Sequence, residues 1–157
     1  MSERITLTYG HGTHNDFLLL ADEDNHMTID ADFVARVCNR STGVKSMTPE
    51  GEFVGADGFI RCVKVDGKWF MDYRNSDGSL AEMCGNGIRV MARYLIEKGL
   101  QPEGIFGINS RAGMKYLSAP QDGDISVNLG KVEHIPGSVS VTANNHTWEH
   151  GYNINVG

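Results

Sequence analysis

Cys84 stands immediately before Gly85-Asn86-Gly87, and an apolar helical pattern follows directly. A thiol in that position can do acid/base or nucleophilic chemistry. The first backbone N–H groups of a helix have no partner within it, and the helix dipole favours negative charge there. Gly85, Asn86 and Gly87 leave those groups open and close to any ligand, so the run reads as an anion site. A cysteine at its lip has its thiolate stabilised. The hypothesis is a reactive thiol beside a hole of carboxylate size. Cys38 and Cys62 differ: one falls on the apolar face of a predicted helix, the other in a predicted strand, and both read as packing groups. His11 and His14 sit in a polar loop and are expected to be structural.

The elements that must hold this thiol follow from hydrophobic patterning. Ile88, Val90, Met91, Ala92, Tyr94, Leu95 and Ile96 cover most of the helix circumference, and only Arg89, Arg93 and Glu97 leave a polar stripe. Such a helix is wrapped by the rest of the chain, with its arginines expected to pair with nearby carboxylates. Gly99 suits the position past its end and Lys98 its negative pole. Strands are predicted at Ile5–Tyr9 and Phe17–Leu20, and the stretch between them, Gly10–Asp16, is too rich in glycine and polar groups for a plain hairpin. A helix is predicted from Asp30 to Asn39, capped by Asp30 or Asp32, with Phe33, Val34, Val37 and Cys38 inward. Lys45–Phe53 has no clear period and reads as a surface excursion, and Gly55–Gly58 as a tight turn.

Phe59–Val65 and Lys68–Arg74 are joined by Asp66-Gly67, the type I′ hairpin signature. The second strand delivers the turn Asn75–Ser79 just ahead of Cys84. Further short strands are predicted at Ile105–Asn109, Met114–Ser118, Ile125–Leu129, Val139–Ala143 and Tyr152–Val156. The sum is an α+β fold, a mixed, strongly curved sheet wrapped around one central helix.

Composition narrows the function. A chain of 157 residues supports one core, or one and a fraction. A net charge of -6 argues against a nucleic-acid partner held through phosphates. No apolar run is long enough for a membrane span, and the N-terminus lacks the apolar segment of a secretory signal. Three cysteines cannot all pair, so free thiols in a reducing cytoplasm are expected. There is no Cys-x-x-Cys and no His-x-x-x-His on a predicted helix, so no metal site is expected. The 19 glycines favour a turn-rich, sheet-containing fold.

Four motifs in order carry a resemblance. His11-Gly12-x-x-Asn15-Asp16-Phe17, Gly55-Ala56-Asp57-Gly58, Arg74-Asn75-x-Asp77-Gly78-Ser79 and Cys84-Gly85-Asn86-Gly87-x-Arg89 resemble diaminopimelate epimerase. Trp69-Phe-Met-Asp-Tyr-Arg-Asn75 is similar to the actinobacterial form. The resemblance implies an isomerase of lysine and peptidoglycan precursor biosynthesis that interconverts LL- and meso-diaminopimelate without pyridoxal phosphate or any other cofactor. It implies two similar halves, each a sheet around a central helix, with the substrate between them. One half supplies the cysteine of Cys-Gly-Asn-Gly and the other that of Cys-Gly-Thr-Gly.

By the resemblance Cys84 is the acid/base of this half, Gly85 and Asn86 bind the reacting carboxylate, and Asn15 and Asn75 contact substrate. Cysteine suits the task because its pKa lies near working pH. Inversion needs groups on both faces of the α-carbon, so a single cysteine cannot suffice. Residues 1–130 then form the N-terminal half, and 131–157 are opening strands of a second half with nothing to pair with. The rest of that half, in the same parent chain, is the expected partner, and a homodimer of the parent is left open. Lys45–Phe53 departs from the family pattern, so Gly58 is not carried over as a site residue. Two other readings stay open: a non-catalytic amino-acid- or anion-binding module, and a related racemase or isomerase of the same fold.

Overall fold

The structure, a computed structural model, describes residues 4–155. Its centre is a four-stranded sheet in the order β1-β2-β5-β6, built from Thr8–Gly12, Asn15–Ala21, Gly58–Val65 and Lys68–Asn75. β2 and β5 run parallel, while the outer pairs are antiparallel. The connection from β2 to β5 carries α1 (Ala31–Cys38) and the hairpin β3–β4 (Lys45–Thr48, Gly51–Val54). Strict alternation divides the sheet's faces. Phe17, Leu19, Ile60, Cys62 and Met71 pack toward α2 (Gly85–Glu97), and Leu18, Leu20 and Phe59 pack toward α1.

Helix α2 is as enclosed as its pattern requires, with Ile88, Met91 and Leu95 wholly buried. A second antiparallel sheet, β7-β8-β9 (Gly104–Ile108, Lys115–Ala119, Ser126–Asn128), closes its far side. The two sheets are stitched where Met71 N–H donates to Asn109 O and Asn109 N–H to Trp69 O, at 2.8 Å each. The result is the expected curved sheet around a central helix, open rather than closed into a barrel. Asp30 caps α1 by accepting the Phe33 N–H at 2.7 Å, and Gly99 follows α2 at φ +69°. Asp66 and Gly67 have φ 52° and 74°, the predicted type I′ turn. No helix among the described residues is long and apolar enough to cross a membrane.

Several expectations need correcting. Gly10–Asp16 is a hairpin after all: β1 starts at Thr8 rather than Ile5, and Thr13 and His14 form a two-residue turn at φ 55° and 62°. Its glycines serve the helix instead, since a Cβ at Gly10 or Gly12 would lie 3.2 or 3.1 Å from Val90 methyls. Lys45–Phe53 is likewise ordered as β3–β4, where Phe53 stacks on Tyr9 at 5.2 Å. Beyond Gly130, β10 (Glu133–Ala143) and β11 (His146–Asn155) pair with each other through a turn at Asn144 and Asn145. Both strands are exposed along their whole length. Val156 and Gly157, at the end of the predicted last strand, lie outside the described residues.

Candidate active site

One edge of the four-stranded sheet gathers the chemistry. β2 and β5 begin there and β6 ends there, with Phe17, Gly58 and Asn75 in one register row. The N-terminus of α2 abuts this edge at Gly87, where a Cβ would lie 3.1 Å from Ile60 and 3.4 Å from Phe17 side chains. Only glycine lets the helix come so near. Cys84 is therefore delivered to the sheet edge as the residue that caps α2.

Its backbone has the extended cap conformation, φ −135° and ψ 120°, and Gly87 N–H donates to the sulfur at 3.4 Å. The sulfur thus lies at the N-terminal pole of the helix, facing a backbone donor. On its other side the Cys84 thiol donates to Asn15 Oδ1 at 3.6 Å. The Asn86 side chain also donates to Asn15 Oδ1, at 3.3 Å. Gly85 and Asn86 occupy the first turn, where backbone N–H groups have no acceptor within the helix. So Cys84, Asn15, Gly85 and Asn86 lie side by side here.

Asn75 is placed differently. Its Nδ2 donates to Ser79 Oγ at 3.0 Å and its Oδ1 accepts the Tyr73 hydroxyl at 3.5 Å, so its side chain is bonded within its own turn and strand. Burial, then the charges of Cys84 and Asp57, push the Tyr73 hydroxyl above the ordinary range. The other cysteines are core: Cys38 and Cys62 are 1% and 0% exposed. Burial pushes the Cys38 thiol up to about 11 and Cys62 further still.

Behind Asn15 lies an ionic network that sequence reading did not anticipate. Asn15 Nδ2 donates to Asp57 Oδ2 at 2.9 Å. Arg40 donates to Asp57 Oδ1 at 2.6 Å and grips both oxygens of nearly buried Asp16 at 2.6 and 2.8 Å. The Asp57 N–H and the Tyr9 hydroxyl donate to Asp16 as well. Burial alone would raise the Asp16 pKa; hydrogen bonds from Arg40, Asp57 and Tyr9 outweigh it and hold the carboxyl below its usual range. Next to this network a cavity of about 420 Å³ is lined by His11, His14, Glu50 and Phe53 among others. The histidine rings stack on one another there at 5.9 Å.

Among the described residues, Arg89 and Arg93 of the α2 polar stripe make no ion pair with a carboxylate. Arg89 donates to Gly85 O and to Asn86 Oδ1. Arg93 donates to the carbonyls of Pro120, Gln121 and Gly123. Among the described residues no group of three or more His, Cys, Asp or Glu side chains is arranged to hold a metal ion.

Comparison with known proteins places this geometry. The model of the family described as Diaminopimelate epimerase matches residues 7–135. The chain belongs to that family. Diaminopimelate epimerase of Thermobifida fusca is 41% identical over 164 residues, spanning 94% of this chain and 55% of the relative. That of Streptomyces coelicolor is 37% identical over 168 residues, spanning 100% of this chain and 54% of the relative. The chain thus spans about half the length of the curated relatives it matches. Among solved structures, a Bacillus anthracis phenazine biosynthesis protein of the PhzF family shares the fold, with TM-score 0.54 over 87% of this chain and 42% of that one, at 15% identity. Within the epimerase family frame, Asp57 had a signal in the sequence, a carboxylate inside the Gly-Ala-Asp-Gly motif. Arg40, directly after the α1 cap, had none.

Proposed function

We propose that this chain is one half of a diaminopimelate epimerase, in which Cys84 is one of two acid/base cysteines that invert the α-carbon without a cofactor. The observation that carries the reading is the place of the sulfur: it caps α2 beside the first-turn N–H groups and lies 3.6 Å from Asn15 Oδ1. A carboxylate held by the Gly85 and Asn86 N–H groups sets its α-carbon near that sulfur. As thiolate, Cys84 takes the α-proton. The charge that develops flows into the carboxylate, where fixed backbone donors stabilise it best in the absence of water. Asn15 and Asn75 bind the remaining polar groups of diaminopimelate. In the reverse direction Cys84, as thiol, returns the proton.

Inversion requires a second group on the opposite face. Cys38 and Cys62 are packed in the core, so neither can serve. The proposal assigns that role to a cysteine in a second half of the kind that makes the relatives longer, with residues 1–130 as the first half and 131–157 leading into the next. By this reading the enzyme works in the cytoplasm, and the 157-residue chain alone does not invert its substrate.

Alkylation with iodoacetamide, located by peptide mass spectrometry, tests the first part. Cys84 should react faster than Cys38 and Cys62 and be protected by diaminopimelate. Equal rates at the three thiols would sink the acid/base role and favour a binding module. Chiral chromatography of LL-diaminopimelate incubated with the purified chain tests the second part, and inversion there would refute the need for another half.

A further inference from the structure

A side-chain amide can turn over, exchanging its oxygen for its NH2 group. An asparagine beside a sulfur can therefore either accept from it or donate to it. Asn15 and Asn86 form such a pair, but the groups at the two ends of the pair cannot turn over. A guanidinium only donates, and that of Arg89 donates to Asn86 Oδ1, which points Asn86 Nδ2 at Asn15. A carboxylate only accepts, and that of Asp57 accepts Asn15 Nδ2 at 2.9 Å, which points Asn15 Oδ1 at Asn86. The two constraints agree. They meet in the 3.3 Å bond from Asn86 Nδ2 to Asn15 Oδ1, and the same oxygen faces Cys84 Sγ at 3.6 Å. Reversing one amide alone would set two oxygens or two NH2 groups against each other. Asp57 is itself fixed, by Arg40 at one oxygen and by its own N–H bond to Asp16 at 2.8 Å.

We propose that Asp57 and Arg89 are positioning residues that lock the Asn15 and Asn86 amides in one sense, so that Asn15 presents an acceptor to the Cys84 thiol. This rests on the reading of Cys84 as an acid/base. Asn15 then favours the protonated sulfur, while Gly87 N–H and the helix pole favour the thiolate. The sulfur thus meets opposed hydrogen bonds, one from Gly87 N–H and one to Asn15 Oδ1. Because each charged end suffices to hold the sense, neither can be seen to act until both are replaced.

The test is a double-mutant cycle on the 157-residue chain, reading the pH profile of iodoacetamide reaction at Cys84. D57N and R89Q remove the acceptor-only and the donor-only end; at position 57 Arg40 holds the new amide's oxygen, so its NH2 group faces Asn15. The charged or titratable groups facing the site are Asp57 before β5, Tyr73 on β6 and Arg89 on α2, with Arg40 behind Asp57. In R89Q the Asp57 carboxylate still holds the sense, so the profile moves up by lost charge; in D57N Arg89 still holds Asn86 against the turn that the Arg40-bound amide favours, and the profile moves down by lost charge. In the double variant the whole chain of amides can turn and give the sulfur a donor. Its profile should fall below the sum of the singles by about one pH unit, roughly a tenfold gain in rate below the midpoint. D57E/R89K keeps an acceptor-only and a donor-only end and should be additive. The plateau rate at high pH reports simple opening of the site and should not change. Additive behaviour of D57N/R89Q, or equal non-additivity in D57E/R89K, overturns the lock. If wild-type Cys84 reacts no faster than Cys38 and Cys62, the acid/base reading falls first and the lock with it.

Discussion

Replacing Cys84 by serine separates capping from chemistry. Serine is among the best residues for the position before a helix, whereas sulfur is a weak acceptor. The backbone already holds the cap conformation, and Gly87 N–H already points at the side chain. A serine hydroxyl would also find Asn15 Oδ1 as its acceptor, so it would not be buried unpaired. Exchange of serine for alanine at such a cap costs about 1 kcal/mol. The sulfur secures part of that, so C84S should be more stable than wild type by about 0.5 kcal/mol and C84A less stable by a similar amount. At about 2–4 °C per kcal/mol for a chain of this size, C84S should melt about 2–4 °C above C84A, with wild type between them. Calorimetry of the three proteins at neutral pH makes the comparison, with loss of the fast-alkylating thiol as the control. If C84S melts at or below C84A, the cap argument is wrong and the cysteine is there to pack. If it melts above wild type, the chain keeps a weaker cap than it could have, and the thiol is the reason.

Two further outcomes follow from burial and charge. Asp16 and Asp22 are both held below the usual carboxylate range: burial opposes this, but Arg40 with the Asp57 N–H and Tyr9 outweighs it for the first, and Arg61 with the Met27 and His26 N–H groups for the second. A depressed folded pKa contributes stability that is present above the unfolded value near 3.9 and lost as pH falls through the folded one. The urea midpoint should therefore hold steady down to about pH 5 and then drop, with a shallower drop in D22N; an unchanged slope in D22N would contradict the assignment. At the helix start, G87A sets a Cβ 3.1 Å from Ile60 while G85A meets nothing closer than Leu129 at 3.8 Å. G87A should be the less stable by about 1 kcal/mol or more in chemical denaturation, and equal stabilities would show that α2 can back away from the sheet.

Local rules made much of this legible. The α2 pattern, the Asp66-Gly67 turn and the Asp30 cap are each specified within a few residues, and each is present. Cys84, Gly85 and Asn86 stand out through helix-start chemistry and Asn15 through the motif resemblance, and the fold sets the four side by side. What failed was non-local. Gly10 and Gly12 suggest a loop until Val90 is seen against them, and β3–β4, which has no hydrophobic period, docks through the stacking of Phe53 on Tyr9. Arg89 and Arg93 were expected to meet carboxylates, yet Arg89 turns back onto Gly85 O and the Asn86 amide of its own helix, and Arg93 meets the carbonyls of Pro120, Gln121 and Gly123 that the fold brings in from elsewhere. Asp57 acts across 42 residues on Asn15, a pairing no window of sequence contains.

That non-local support explains how a thiol at the end of an irregular connection can keep a fixed position. Between β6 and α2 the chain has no regular element, and such a segment by itself would leave Cys84 loosely placed. It is pinned along its length instead. Gly78 is pressed so tightly to the start of α1 that a Cβ would lie 2.3 Å from Ala31 O, and Asn75 N–H closes the turn on Ser79 O at 2.9 Å. Arg111, from beyond β7, donates to the carbonyls of both Tyr73 and Ala81 and to Asp72, tying the strand end to the segment after the turn. The proton transfer proposed for Cys84 would be sensitive to sub-ångström placement, so for that role a cap residue held only by its helix would be too free. Here the helix supplies the electrostatics and the surrounding turns supply the position. Loosening Arg111 or Gly78 should thus disturb the reactivity of Cys84 even though neither touches it.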